Sequence, residues 1–298
     1  MARKDRLDAI GVVALTASSL LLGLNQVVVK VVNGGLQPVF FAGLRSVGAL
    51  LLIWAWMYWR GRPVRIRPGT VGAGIAIGLC FAVEFLCLFL ALDHTTVVRS
   101  SIIFYSMPVW FAILGHFFLP GERISPRKAL GLAIAFAGVA WAIAHRGGAA
   151  GETSLLGDLL SLGAAFGWTG IAFLSRATSL REIRPEMQLF WMVAVSGPVL
   201  LVASLFFGPF IRDLQPIHLW GLGFQIVVIA SFGFIFWLWL LAEYPASTVA
   251  SFSFLTPLLG IGFGWLLLGE PVGPQILASG ALVALGIVLI NSAGRARG

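Results

Sequence analysis

The chain has 298 residues, of which 59% are hydrophobic and only 11% are charged. A soluble domain carries roughly 25% charged residues, so this composition leaves too little charge to cover a surface exposed to water. It excludes a soluble globular protein and indicates that lipid surrounds most of the chain. The formal net charge is +8. A basic charge can indicate a nucleic-acid partner, but the positions of the basic residues decide whether it does.

Ten apolar stretches follow one another along the chain, separated by short joints that contain glycine, proline or arginine. A membrane-spanning helix needs about 20 apolar residues, whereas the strands of a membrane barrel alternate over about ten. The stretches therefore predict an all-α membrane protein with ten transmembrane helices. Their predicted bounds are 9–31, 38–59, 69–91, 97–119, 127–145, 155–177, 186–208, 217–241, 247–268 and 274–291.

The first stretch follows a short basic segment, residues 3–6, as the core of a cleaved signal peptide would. Its apolar run continues through LLLGLNQVVVKVV, which is longer than a signal core, so we interpret it as the first membrane span. Cys80 and Cys87 lie on one face of the third predicted helix, about 10 Å apart along its axis. That distance is too long for a disulfide, and we interpret both as packing residues.

The basic residues fall mainly on one side of the membrane when the joints alternate from a cytoplasmic N-terminus. The inner side receives fifteen Lys and Arg residues, and two more, Lys30 and Arg45, fall within spans. The outer side receives Arg99, Arg146 and Arg212. An excess of Lys and Arg marks cytoplasmic loops, so both termini are predicted to be cytoplasmic. The basic charge is then an orientation signal that can also contact anionic lipid, and no nucleic-acid partner is predicted.

One phrase of sequence occurs twice. SMPVWFAILGHFFLPGE closes the fourth span at Glu122, and LTPLLGIGFGWLLLGE closes the ninth at Glu270. Because each unit holds five helices, the second unit enters the membrane in the opposite sense. We therefore predict two inverted-topology repeats, 1–148 and 149–298, with Glu122 inside and Glu270 outside. Such repeats are typical of secondary transporters, although duplicated halves also form channels.

The repeated segments resemble those of the EamA-like permeases of the drug/metabolite transporter superfamily. The resemblance is carried by YSMPVWFAILGHFFLPGERISPRKALGLAIAFAGVAWAI and FLTPLLGIGFGWLLLGEPVGPQILASGALVALGIVLI, and it extends over the whole chain. Within the superfamily, the chain is most similar to bacterial exporters of aromatic and other amino acids. The resemblance implies ten helices around a central cavity in the bacterial inner membrane. It also implies that the fifth and tenth helices lie at the edge or in a dimer contact, so that the protein is a monomer or a homodimer.

Arg45 and Glu84 are charged residues inside predicted spans, where charges are rare and mark functional sites. Each lies about seven residues from the outer end of its span, which is a depth of about 10 Å at 1.5 Å per residue. We therefore expect the two side chains to share a depth and to pair. The pair could be a static salt bridge, could bind the carboxylate and ammonium of a zwitterion, or could carry a coupling proton on Glu84. Lys30, near the end of the first span, is expected to extend to the interface.

Uncharged polar residues interrupt other predicted spans and are further cavity candidates. They are Asn25 in the first span, Ser101 and Tyr105 in the fourth, and Ser253 in the ninth. Pro108 and Pro257 each remove a backbone donor from a span, and the freed carbonyls need partners or a wet cavity. The two prolines are therefore predicted to be either paired hinges or fixed kinks.

Two deep tryptophans, Trp168 and Trp237, are candidates for an aromatic wall. Such a wall would accept an apolar or aromatic side chain, and a cation–π contact could hold an ammonium group. The alternative is that both tryptophans only pack against other helices or lipid.

Motifs of catalysis are absent from the sequence. It contains no G-x-S-x-G, H-E-x-x-H or G-x-x-x-x-G-K-[ST] segment, and its histidines lack a metal-ligand spacing. We therefore predict no enzyme activity, catalytic residue, cofactor or metal. The chain is predicted to be a secondary transporter that exports small metabolites, foremost aromatic and other neutral amino acids, across the inner membrane by alternating access. The alternatives are an efflux permease for drugs, nucleobases or other metabolites, and a channel-like or structural membrane protein.

Overall fold

A computed structural model of the chain describes residues 8–119, 123–145, 154–244 and 255–295. Within these ranges the backbone is helical apart from joints and one isolated bridge, between Leu36 and Ile211. The helices are α1 (Ala9–Asn33), α2 (Pro38–Trp59), α3 (Val71–His94), α4 (Val97–Phe104), α5 (Met107–Phe118), α6 (Pro126–Ala144), α7 (Leu155–Ala177), α8 (Pro185–Ser204), α9 (Pro216–Phe224), α10 (Phe234–Glu243), α11 (Leu255–Leu268) and α12 (Pro274–Arg295). A short 3-10 helix (Ser179–Glu182) precedes α8, and a π-helix (Gln225–Gly233) joins α9 to α10.

Eight helical stretches in the described ranges are long and apolar enough to cross a membrane, and two shorter apolar helices follow them. Where the chain is described, the predicted bounds agree with the structure to within a few residues, because the joints carry strong helix-start signals; the predicted start of the ninth span, residue 247, lies outside the described residues. Proline fits the first turn of a helix, where its missing N–H costs nothing, and Ser, Thr or Asp side chains accept the free donors. Proline begins α2, α6, α8, α9 and α12. Side-chain caps are formed by Asp8, Thr96, Ser125 and Ser154.

The fourth span is broken in two. α4 ends at Phe104, and α5 begins at Met107 with Pro108 as its second residue. Ser106 lies in the break, where its hydroxyl donates to the Ile103 carbonyl at 2.6 Å and accepts from Trp110 Nε1 at 3.0 Å. A hydroxyl next to the proline therefore satisfies the interrupted backbone. In the ninth span, Pro257 is buried close to where the described part of α11 begins.

The largest helix interfaces each join a helix of residues 1–148 to one of residues 149–298. They are α6 with α12, α3 with α7, α2 with α8, α3 with α8, and α1 with α11. Small residues let helices approach closely in lipid, and glycine does so between α6 and α12. A Cβ on Gly131 would lie 2.7 Å from the Gly286 carbonyl oxygen. The fifth and tenth predicted spans therefore pack directly on each other.

Joints contact one another at two ends of the helix bundle. At one end, Arg212 donates to both carboxylate oxygens of Asp93 and to the Asn33 carbonyl, and the hydrogen bonds to Asp93 raise the pKa of Arg212. At the opposite end, Arg62 pairs with Glu186. We call these the Arg212 end and the Arg62 end. In the described ranges, the hydrogen bonds and ion pairs between joints connect joints that the charge distribution assigns to the same side.

Candidate site around Arg45 and Glu84

Arg45 and Glu84 are both buried inside the bundle, at 2% and 3% exposure. Arg45 lies on α2 and Glu84 on α3, between the helix ends. Their charges act on each other electrostatically. Charges at this depth are costly, and such residues in membrane proteins face the interior or a cavity and have a function.

The expected ion pair between the two side chains is not formed. The Arg45 guanidinium instead lies over the Phe85 ring, with Cζ 3.8 Å from the ring centroid, and 5.7 Å from that of Phe89. Arg45 Nε and Glu84 Oε2 are buried without a hydrogen-bond partner. Successive helix residues point about 100° apart, so an arginine stacked on Phe85 does not meet the carboxylate of Glu84. The two side chains therefore do not pair, and their shared depth in the membrane stays a prediction.

Glu84 lies against α7, and a glycine makes this contact possible. A Cβ on Gly167 would lie 2.7 Å from the Glu84 nitrogen and 2.9 Å from its Cβ. Tyr105 is within electrostatic range of the same carboxylate, and Trp168, next to Gly167, packs against the same hydrophobic core. Of the predicted aromatic candidates, Tyr105 therefore interacts electrostatically with Glu84, and Trp168 follows the glycine that packs against it.

A stripe of phenylalanines on α3 forms the aromatic surface of this region. Phe81, Phe85 and Phe89 are four residues apart and so lie on one helix face. Their neighbouring ring centroids are 4.6 and 5.7 Å apart, and Phe41 approaches Phe89 at 4.8 Å. Sequence analysis considered tryptophans and missed this stripe, although its four-residue spacing was visible.

Amide side chains form a second polar cluster between α1, α4 and the π-helix. Gln225 Nε2 donates to Asn25 Oδ1 at 2.7 Å, and the Ser101 hydroxyl donates to Gln26 Oε1 at 3.0 Å. Gln26 Nε2 and Gln225 Oε1 are buried without partners. The predicted candidates Asn25 and Ser101 therefore each bind the side-chain amide of a glutamine. Gln225, at the start of a π-helix, is a residue that the sequence analysis missed. Short π-helices occur frequently at functional sites.

The remaining candidates lie elsewhere. Trp237 packs in a separate cluster with Leu15, Leu240 and Tyr244, so it does not face Arg45 or Glu84. Ser253 lies outside the described residues, as does Glu122.

Two other basic residues differ from their sequence-based expectations. Lys30 does not extend freely to the interface, because its Nζ donates to the Thr95 carbonyl at 2.8 Å and lies 3.4 Å from Glu270. Arg99, assigned to an outer joint, is buried within α4 and pairs with Asp158 at 2.6 Å. These contacts join helices that are far apart in sequence, and a span-by-span reading could not find them.

A groove of about 520 Å³ lies away from this region, between α5, α6 and α7. It is lined mainly by apolar side chains, among them Trp110, Phe136 and Leu162. A groove without charged or amide groups cannot orient a polar metabolite, so we place the candidate site at Arg45 and Glu84. Within the described ranges, no three His, Cys, Asp or Glu side chains converge on a possible metal position.

Comparison with known proteins gives the same assignment for both halves. The model of the EamA-like transporter family matches residues 9–144 and again residues 155–292. A "Probable amino-acid metabolite efflux pump" of Escherichia coli is 28% identical over 300 residues, covering 98% of this chain and 95% of that protein. The "Uncharacterized transporter YoaV" of Bacillus subtilis is 24% identical over 94% of this chain and 95% of its own length.

A solved crystal structure has the same fold, with a TM-score of 0.66 at 17% identity over 94% of this chain and 97% of that one. The matches to bacterial relatives and the many apolar helices identify a multi-pass protein of the inner membrane.

Proposed function

Because the chain belongs to the EamA-like transporter family, we propose that it exports amino acids with apolar or aromatic side chains across the inner membrane. The coarser statement, that it is a membrane transporter of small metabolites, follows from the family and from the relatives named as efflux pumps. The choice of amino acids, the outward direction and the mechanism are our proposal. Under this proposal, the protein is a transporter and not an enzyme.

The observation that carries the proposal is the separation of Arg45 from Glu84. Five charged residues are buried in the described ranges, and Arg99, Asp158 and Glu270 each have an ion-pair partner. Arg45 and Glu84 have none among the described residues, although a buried charge is stable only when it is paired or well hydrogen-bonded. A zwitterionic ligand supplies both missing partners, since its carboxylate fits the guanidinium and its ammonium fits the Glu84 carboxylate.

The aromatic stripe supports the preference for apolar or aromatic side chains. A ligand held at the Arg45 guanidinium lies next to the rings of Phe85 and Phe89. Aromatic rings provide a large apolar contact area with defined geometry. One relative is named as a probable efflux pump for amino-acid metabolites, which is compatible with this ligand class.

The proposed mechanism is alternating access between two inverted five-helix repeats, residues 1–148 and 149–298, around a central cavity with both termini in the cytoplasm. The prolines of the fourth and ninth spans would act as paired hinges. Support comes from the two successive family matches, from the pairing of helices across the two halves, and from the break at Ser106 and Pro108. Two halves of opposite orientation can exchange conformations and open the site to either side in turn.

The test is counterflow of labelled phenylalanine in proteoliposomes, with threonine, methionine, purines and sugar nucleotides as competitors. Saturable counterflow inhibited by amino acids is expected, whereas flux without saturation would favour a channel. Inhibition by purines or sugar nucleotides alone would move the substrate to another class of metabolite. Phenethylamine lacks the carboxylate and phenylpropionate lacks the ammonium, so both should compete much more weakly than phenylalanine.

Arg45→Gln and Glu84→Gln test the two roles separately. A hydrogen bond to a charged group contributes about 1.5–3 kcal/mol, so each variant should lose roughly 10- to 150-fold in apparent affinity for phenylalanine. Arg45→Gln should also remove the preference for phenylalanine over phenethylamine. Arg67→Gln and Glu182→Gln are matched controls, because that ion pair is 58% and 51% exposed at the Arg62 end. Unchanged affinity and selectivity in correctly inserted Arg45→Gln would refute the zwitterion site.

A further inference from the structure

Three ion pairs tie the two halves of the chain together at the Arg212 end. In each pair one residue belongs to residues 1–148 and the other to residues 149–298. The pairs are Lys30–Glu270 at 3.4 Å, Arg99–Asp158 at 2.6 Å and Arg212–Asp93 at 2.7 Å. The isolated bridge between the α1–α2 joint and the α8–α9 joint adds a backbone contact across the same boundary.

Glu270 also caps a helix of the other half. Its two carboxylate oxygens accept hydrogen bonds from the backbone nitrogens of Val97 and Val98, at 2.8 and 2.9 Å. The first N–H groups of a helix have no partner within the helix, and the positive end of the helix dipole favours an anion there. Lys30 completes the contact by binding the Thr95 carbonyl just before α4. A residue at the end of α11 therefore holds the first turn of α4.

The sequence around Glu270 is suited to this contact. Gly269 has a φ of 66°, a left-handed conformation that glycine adopts without strain, and it reverses the chain after α11. A Cβ on Gly264 would lie 2.8 Å from Glu270 Oε2 and 2.9 Å from Val98, so only glycine leaves room for the carboxylate. The Gly-Glu at the end of the second repeated segment thus allows Glu270 to cap α4.

α4 is a short helix that a break separates from the rest of its span. It is broken from α5 at Ser106 and Pro108, and Ser101 on α4 binds Gln26 of α1. The capped end lies at the Arg212 end of the bundle, and α4 packs on α7, the helix whose Gly167 contacts Glu84. A contact that fixes α4 therefore fixes a helix that lies between the Arg212 end and the helix in contact with Glu84.

We propose that these three ion pairs form the gate of the transport pathway at the Arg212 end, with Glu270 as the latch that holds α4 in the closed position. The gate is closed in this structure, and opening requires Glu270 to release Val97 and Val98. This inference rests on the proposed alternating access, because a single-conformation protein needs no gate. It does not depend on which metabolite is carried.

The first test joins the gate covalently. Asp93→Cys and Arg212→Cys are combined in a background in which Cys80 and Cys87 are alanine, and a short reducible bis-thiol reagent bridges them. If the contact must open in each cycle, counterflow falls in proportion to the cross-linked fraction and returns on reduction. If the contact is a permanent part of the interface, cross-linking leaves the rate unchanged, and the proposal is overturned. The two single-cysteine variants control for labelling alone.

The second test removes the latch without a cross-link. Glu270→Gln retains an acceptor for the α4 cap but loses the charge that faces Lys30, and Lys30→Met removes the same pair from the other side. Ser101→Cys, buried just beyond the cap, reports opening through its labelling by a membrane-impermeant maleimide. Both latch variants should label faster than the parent from the side on which Arg212→Cys is labelled. Equal labelling rates in all three proteins would overturn the role of Glu270.

The two tests separate this inference from the proposed function. Absence of amino-acid counterflow in the wild type refutes the amino-acid substrate, and the cross-linking test then uses whichever competitor the wild type transports. Labelling of Ser101→Cys requires no substrate, so it remains decisive in either case. Amino-acid counterflow that continues through a fully cross-linked gate refutes the gate alone.

Discussion

Gly167→Ala is the most direct test of how the candidate site is built. The added methyl group would lie 2.7, 2.8 and 2.9 Å from the nitrogen, Cα and Cβ of Glu84, and ordinary contact begins near 3.4 Å. These atoms are backbone or directly attached to it, so no rotamer change relieves the overlap. α3 and α7 must therefore separate at Glu84 by about 0.7 Å, the difference between 3.4 and 2.7 Å.

Both stability and transport should respond to this separation. Overpacking a close-packed interior costs about 1–3 kcal/mol, and the melting temperature should fall by several degrees. Shifts of about 1 Å in a functional group cost roughly 100-fold in an enzyme, so we expect the transport rate to fall by about tenfold or more. Gly163→Ala is the matched control, one turn away on α7. Its methyl group would meet the Cys87 sulfur at 3.1 Å, which a side-chain rotation can relieve.

The assay compares melting temperature and phenylalanine counterflow for the two variants at equal amounts of inserted protein. The expected result is a large loss of transport in Gly167→Ala and a small one in Gly163→Ala. Equal losses would mean that transport follows the general packing of α3 on α7. Full transport in a destabilised Gly167→Ala would mean that the position of Glu84 does not matter, and the reasoning about the site would be wrong.

Two further substitutions test neighbouring parts of the argument. Phe85→Leu removes the ring under the Arg45 guanidinium, a contact of about 0.5–2 kcal/mol. The KM for phenylalanine should therefore rise roughly 2- to 30-fold. Phenethylamine lacks the carboxylate, so an equal rise in its inhibition constant would contradict this role. Gly131→Ala places a methyl group 2.7 Å from the Gly286 carbonyl oxygen and should lower the melting temperature. Gly72→Ala is the control, because a Cβ there meets no described atom within 4 Å, and it should leave the melting temperature unchanged. Equal melting curves for the two variants would refute the close packing of α6 on α12.

The spans could be predicted from sequence because their signals are local. A stretch of about 20 apolar residues, closed by a proline or a capping side chain, specifies where a helix lies without knowledge of its neighbours. The same reasoning placed Arg45 and Glu84 at one depth, since depth depends only on position along each helix. The assignment of joints to two sides also agrees with the contacts seen at the Arg212 and Arg62 ends.

Rotation about the helix axis and pairing between halves could not be predicted in this way. Arg45 stacks on Phe85 and does not pair with Glu84, and no spacing within either helix encodes which of these two neighbours it meets. Lys30 and Glu270 are 240 positions apart in the chain, and each alone has the pattern of an interfacial charge at the end of a span. Trp237 has the depth of a cavity residue but belongs to the cluster around Leu15 and Tyr244.

The two kinds of buried charge in this protein indicate two different tasks. At Glu270 and Asp158 the protein supplies the partner itself, so the energy of each pair stabilises one arrangement of the two halves. At Arg45 and Glu84 the charges attract each other without a direct ion pair, and the guanidinium stacks on Phe85 instead of binding a carboxylate. A ligand that brings both opposite charges pairs with each of them without first breaking an ion pair. A transporter needs this combination, since a gate must hold without substrate and a binding site must be vacant without it.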